Sequence, residues 1–147
     1  MSTRMLIGDN NHPYLMVMKE FFEAEGFEID MASSSTAVRL ALERQQFAVA
    51  ILDVPLDDHE DEQDISGLLV AKTVSTHTPL IIFTSYPSVE AVQAALGANI
   101  YGLPAAVDFI SKDEGLEVLR EAVRNILDSE GVVLDLSVEM IGTQFRS

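Results

Sequence analysis

No cysteine and no tryptophan occur in the 147 residues. Without thiols there is no disulfide, no thiolate zinc site and no cysteine nucleophile, a composition suited to a reducing compartment. Basic residues are scarce: nine Lys and Arg stand against 24 Asp and Glu, giving a formal net charge of −15. That sign repels phosphate backbones and anionic membranes, so no nucleic-acid or membrane partner is expected and a basic protein partner is the easier inference. No apolar run approaches membrane-spanning length, and residues 1–4 lead directly into a strand, leaving no room for a secretory leader. The expectation is a cytoplasmic chain. A phosphate-binding P-loop, a dinucleotide fingerprint and a Gly-x-Ser-x-Gly elbow are also missing. His12, His59 and His77 fall on three separate loops without the close spacing of a zinc site.

What is present is apolar material in short, regular runs. Hydrophobic residues make up 48% of the chain, enough for one core at a length typical of one domain. Four of the runs stop at a polar or charged residue. Met5–Gly8 runs into Asp9 and Asn10, Phe47–Leu52 into Asp53, Leu80–Phe83 into Thr84, and Val107–Ser111 into Lys112. Continuous runs of this length separated by helical stretches read as buried parallel strands. Their carboxyl ends share one edge of the sheet, where open α/β sheets place ligand sites. Two acids, a hydroxyl and an amine gathered there point to a site for a metal ion and a phosphoryl group.

The intervening segments read as helices. Pro13 suits an opening turn, and Leu15, Met18, Phe21 and Phe22 recur at helical spacing until Gly26, giving a helix over about 13–25. Residues 27–32 alternate as an edge strand does, and Ser33–Ser35 offer caps for a helix reaching about Gln45. A short helix follows Gly67, another carries Val89, Val92, Ala95 and Leu96, and the last places Leu116, Leu119, Val123, Ile126 and Leu127 on one stripe. Five strands alternating with five helices predict a doubly wound α/β domain over residues 1–127. Residues 128–147 are expected to form a C-terminal tail, either an extra strand at 132–136 or a linker.

Leu-Ile-Gly-Asp-Asn, Ala-Ile-Leu-Asp-Val-Pro-Leu, Ile-Ile-Phe-Thr-Ser and Asp-Phe-Ile-Ser-Lys stand in that order along the chain. From about Arg4 to Leu127 they resemble the CheY-like receiver domain of bacterial two-component response regulators. The resemblance implies a flavodoxin-like five-stranded parallel sheet in the order 2-1-3-4-5. It implies that Asp53 is the phosphoacceptor, and that Asp9, Asn10, Asp53 and the backbone carbonyl of Pro55 hold Mg²⁺. It further implies that Thr84 and Lys112 bind phosphoryl oxygens, and that Thr84 and Phe109 form a switch.

Three features depart from the family pattern. Asn10 stands where a second acid is usual, keeping an oxygen ligand but losing a charge, and the run Asp9–Pro13 also permits a one-residue slip. Asp113 follows Lys112 where proline is usual, which predicts a loop of different shape. Residues 57–64 form an acidic insertion, read as a solvated, mobile run, with a role in cation binding or kinase selection as the alternative. The stretch Leu96–Pro104 is also long, in a region receivers use for partners.

Three functional classes follow. The first is a phosphorylation-controlled protein-binding module, not a turnover enzyme, that takes a phosphoryl group from a histidine kinase or phosphotransfer protein and acts on a downstream protein target. The second is a degenerate receiver that keeps the fold as an interaction module without being switched by phosphate. The third, a flavodoxin-like electron carrier, is disfavoured because Asp9 would repel a flavin phosphate after strand one.

Overall fold

Strand residues alternate between two separate apolar layers, and this division organises the molecule. A computed structural model describes residues 3–103 and 105–129. Five strands, β1 (Thr3–Gly8), β2 (Phe27–Ala32), β3 (Val49–Leu52), β4 (Leu80–Thr84) and β5 (Asp108–Ser111), form one parallel sheet in the order β2-β1-β3-β4-β5. The helices are α1 (His12–Ala24), α2 (Ser35–Arg44), α3 (Ser66–Thr73), α4 (Val89–Leu96) and α5 (Leu116–Ser129). Met5, Ile7, Val49, Ile51, Ile81, Phe83 and Ile110 face one side, where Leu15, Met18 and Phe22 of α1 and Leu119 and Val123 of α5 cover them. Leu6, Ala50, Leu52, Leu80 and Ile82 face the other, under Val38, Leu68, Val70 and Ala95 of α2, α3 and α4. Burial on both faces is why the central strands read as unbroken apolar runs.

Helix starts follow the expected capping chemistry. Asn11 caps α1 by accepting from the Tyr14 N–H, Ser34 caps α2 through Ala37, and Ser88 caps α4 through Ala91. His12 is therefore the first helical residue rather than a loop residue. Asn11 is engaged as that cap, and Asp9 rather than Asn11 shares the Lys112 ammonium with Asp53.

Two strands are shorter than the apolar runs implied. Phe47 and Ala48 precede β3: the Phe47 N–H donates to the Thr78 hydroxyl at 2.9 Å and the Ala48 N–H to the Arg4 carbonyl at 2.9 Å. Val107 likewise precedes β5, its N–H donating to the Leu80 carbonyl at 2.8 Å. The last helix continues past 127 to Ser129, and the expected strand at 132–136 lies outside the described residues.

The long stretch after α4 is tied down by one buried side chain. Asn99 donates from Nδ2 to the Val74 carbonyl at 2.9 Å and accepts at Oδ1 from the N–H groups of Tyr101 and Leu103. This fastens the segment to the end of α3, while Ile100 and Tyr101 remain exposed. Among the described residues no helix is long and apolar enough to cross a membrane.

Candidate functional site

Parallel pairing brings the four polar strand ends to one edge. Gly8 is level with Leu52 and Thr84 with Ser111, so Asp9, Asp53, Thr84 and Lys112 leave the sheet together. Main-chain bonds fix the first two: the Asp53 N–H donates to the Gly8 carbonyl at 2.9 Å and the Asp9 N–H to the Ala32 carbonyl at 3.0 Å.

Asp9 and Asp53 are 2% and 4% exposed. Two buried carboxylates side by side require compensation, and Lys112 supplies it. Its Nζ lies 2.7 Å from Asp9 Oδ2 and 3.0 Å from Asp53 Oδ2, with the side chain 11% exposed. The remaining oxygens accept from the main chain, Asp9 Oδ1 from Asn11 at 2.9 Å and Asp53 Oδ1 from Val54 at 2.8 Å. The Tyr14 ring covers the ammonium with its centroid 4.4 Å from Nζ. Phe83 stacks on that ring at a centroid distance of 6.4 Å.

Charge at this edge does not cancel: two carboxylates share one ammonium. Burial pushes the Asp53 carboxyl above its ordinary range, with Lys112 opposing the rise and Asp9 adding to it. Burial pulls Lys112 down, but attraction to Asp53 and Asp9 outweighs it, so the ammonium is held more firmly than a free lysine. Both shifts are upward, so in both the folded state binds its proton more tightly than the unfolded chain. Stability therefore falls as pH rises through the folded Asp53 value, above the usual carboxylate range, and again at alkaline pH through that of Lys112. Asp53→Asn removes the first fall. In metal-free buffer, urea melts across this range should show the variant at least as stable as the parent at neutral pH. A variant clearly less stable there would mean that the carboxylate is not under strain.

Thr84 is fully buried, and its hydroxyl accepts from the Tyr86 N–H at 3.3 Å. Phe109 is half-buried against the α2–α3–α4 layer. Pro55 is buried in the turn after Asp53, which Ser66 Oγ fixes by accepting from the N–H groups of Leu56 at 3.0 Å and Asp57 at 3.1 Å. Lys112 opens a 3₁₀ turn (Lys112–Glu114) that Ser111 caps through the Asp113 N–H. No cis peptide bond occurs among the described residues.

Asn10 is oriented differently from the expectation. Its Oδ1 accepts from the ring of His59 at 3.0 Å and from the His59 N–H at 3.4 Å, while Nδ2 donates to the Ser33 carbonyl at 2.9 Å. The side chain expected to hold the metal is thus already engaged elsewhere. The acidic insertion also differs from a mobile, fully solvated run. Asp64 accepts from the N–H groups of Asp57, Asp58 and Ser66, Asp58 from Glu60, and Asp61 from Gln63. Asp57 accepts from the N–H and hydroxyl of Ser35, both at 2.9 Å, at the start of α2.

No cluster of three or more His, Cys, Asp or Glu side chains arranged to hold a metal occurs among the described residues. The donor set at the sheet edge nevertheless suits a hard cation. Asp9 and Asp53 supply two carboxylates with a surplus negative charge, and few protein ligands with retained waters are what Mg²⁺ prefers. Asp9 and Asp53 would hold it, with Asn10 and the Pro55 carbonyl as the further oxygen sources.

The model of the response regulator receiver domain family matches residues 5–124. The chain belongs to that family. No curated protein matches the receiver significantly, whereas solved structures do. A CheY-like receiver domain protein from Methanospirillum hungatei JF-1 is 25% identical, with a TM-score of 0.67 over 89% of this chain and 98% of that one. A response regulator from Burkholderia pseudomallei, solved with a phosphorylated aspartic acid, calcium and citrate, is 16% identical, with a TM-score of 0.66 over 88% and 72%. The receiver domain of a sensor histidine kinase from Pseudomonas aeruginosa PAO1, solved with magnesium in its active-site cleft, is 13% identical, with a TM-score of 0.64 over 87% and 99%.

Several residues that shape this receiver's site escaped the sequence reading. Tyr14 lies within the first helix without any signal of its own in the sequence, and His59 is one of three loop histidines without zinc-site spacing. Gly67 was read only as a helix boundary, although its N–H donates to the Val54 carbonyl at 2.7 Å and a Cβ there would meet the Asp53 carbonyl oxygen at 1.9 Å.

Proposed function

We propose that this receiver accepts a phosphoryl group on Asp53, with Mg²⁺, from a histidine kinase or phosphotransfer protein, and that the change alters a surface read by a downstream protein. The observation that carries this reading is the buried pair of Asp9 and Asp53 bridged by the Lys112 ammonium. An Asp53 carboxylate oxygen attacks phosphorus, the bond from phosphorus to the donor breaks, and an acyl phosphate remains. The donor's leaving atom takes the bonding pair. A divalent cation bound beside the acceptor would offset the repulsion between carboxylate and incoming phosphoryl oxygens. Lys112 is placed to follow the new charge, since its Nζ already contacts Asp53. The Thr84 hydroxyl, drawn toward the phosphoryl group, would leave space for the half-buried Phe109 ring to turn inward, a two-state change of packing.

The net charge of −15 favours a kinase or phosphotransfer surface with basic residues. The output is a change of state rather than turnover, so we read the protein as a cytoplasmic signalling module and not as an enzyme. Magnesium in the cleft of the Pseudomonas receiver and the phosphorylated aspartic acid of the Burkholderia regulator support this chemistry by analogy.

A second reading, a receiver that no longer responds to phosphate, is favoured by the engagement of Asn10 with His59. Acetyl phosphate with Mg²⁺ separates the two. Intact mass should gain one phosphoryl increment, mapped to Asp53 and missing from Asp53→Asn. A parent chain that gains none under conditions where its Mg²⁺ site is saturated would leave the second reading standing.

A further inference from the structure

The Asn10 amide connects three loops around the acceptor. The Ser33 carbonyl can only accept, so it fixes Nδ2 on its side and turns Oδ1 toward His59. There Oδ1 receives two donors, the His59 N–H at 3.4 Å and the ring at Nδ1 at 3.0 Å. A carbonyl oxygen has two lone pairs, and both are therefore taken. On its other side, His59 is held by the Tyr86 hydroxyl, which donates to the His59 carbonyl at 3.4 Å. Tyr86 in turn donates its N–H to Thr84. His59, its side chain 37% exposed, is thus the residue through which the loop touches the β1–α1 turn, while the loop's ends are secured by Asp57 on Ser35 and by Asp64 on three main-chain N–H groups.

We propose that His59 is a positioning residue of the acceptor site: it competes with a divalent cation for Asn10 Oδ1, so that cation entry frees the loop of residues 57–64. This rests on the phosphoacceptor reading, because it takes Asn10 as an oxygen source for the cation. The competition is built from the geometry already described. A cation held by Asp9 and Asp53 would have to displace at least one His59 donor to gain the Asn10 oxygen. The loop's attachment to the β1–α1 turn is then weakened, and it keeps those to Ser35, to Tyr86 and to itself. The acidic insertion is in this view a cover whose release reports that the site is loaded.

The test is made on the full chain, by calorimetric titration with Mg²⁺ and by hydrogen exchange of the loop amides. His59→Ala removes the ring donor and should tighten Mg²⁺ binding about fivefold, the change that one neutral hydrogen bond represents. His59→Asn places an amide N–H near the position of Nδ1 and should return the affinity toward that of the parent. Amides in residues 57–64 of the parent should exchange faster when Mg²⁺ is added, whereas in His59→Ala they should be fast already without metal. Thermal melts of both variants check that the fold is retained. If the parent binds Mg²⁺ and is phosphorylated on Asp53, yet His59→Ala binds with the same affinity and the loop exchange ignores the metal, the competition is wrong and the phosphoacceptor reading stands. If the parent neither binds Mg²⁺ nor gains a phosphoryl group, both fall.

Discussion

Lys112→Met is expected to cost about 3 kcal/mol of stability, at the lower end of what breaking a buried ion pair from one side costs. The ammonium is the sole cation within reach of both carboxylates among the described residues, at 2.7 and 3.0 Å. Its loss leaves Asp9 and Asp53 facing each other at the buried sheet edge, and one of them must take up a proton or draw in water. Methionine fills a similar volume, so the packing under Tyr14 is largely kept and the loss reports charge. Urea unfolding at neutral pH checks the figure. Lys112→Met combined with Asp53→Asn should recover more than half of the loss, because only one carboxylate then lacks a partner. Added Mg²⁺ should also stabilise the single variant more than the parent, a cation replacing a cation. A loss below roughly 1 kcal/mol, the level typical of exposed ion pairs, would show that the ammonium is not the compensating charge.

Gly67→Ala should be nearly as damaging, by a different route. The added Cβ would lie 1.9 Å from the Asp53 carbonyl oxygen and 2.9 Å from that of Val54. Both are main-chain atoms, so no side chain can yield, and either α3 or the turn after Asp53 must move. Such overpacking costs on the order of 2–3 kcal/mol. The shift falls on the residue proposed to take the phosphoryl group, so labelling by acetyl phosphate should slow in the fraction that remains folded. Stability within about 0.5 kcal/mol of the parent together with an unchanged labelling rate would show that α3 does not press on the acceptor.

The sheet was legible in the sequence because burial on both faces leaves an unmistakable trace. Residues 49–52 and 80–83 are apolar throughout, and each run ends at a buried polar residue of the site, Asp53 or Thr84. Apolarity reports burial rather than pairing, however, which is why Phe47 and Val107 looked like strand residues. Both are anchored by bonds to loops or strand ends instead. The acids and the lysine of the site were legible through the same strand ends together with the family resemblance. The partners of those residues were not. Asn10 and His59 meet across 49 positions, and Ser35 and Asp57 across 22. Neither separation carries a periodic signal, and no local propensity distinguishes an aspartate that caps a distant helix from one in water. Tyr14 is a further case: its ring reaches Lys112 only because the 3₁₀ turn after β5 meets α1 at the same edge of the sheet.

Asp9 and the ammonium that neutralises it are separated by 103 positions. While the chain is being made, both acids emerge long before the residue that makes their burial tolerable. A chain ending before β5 has Asp9 and Asp53 without their compensating ammonium, and the closing entropy of so long a loop must be met before that contact forms. Docking of the last strand and completion of the charge cluster are therefore a single event. A sheet lacking its fifth strand therefore also lacks the ammonium that compensates its two buried carboxylates.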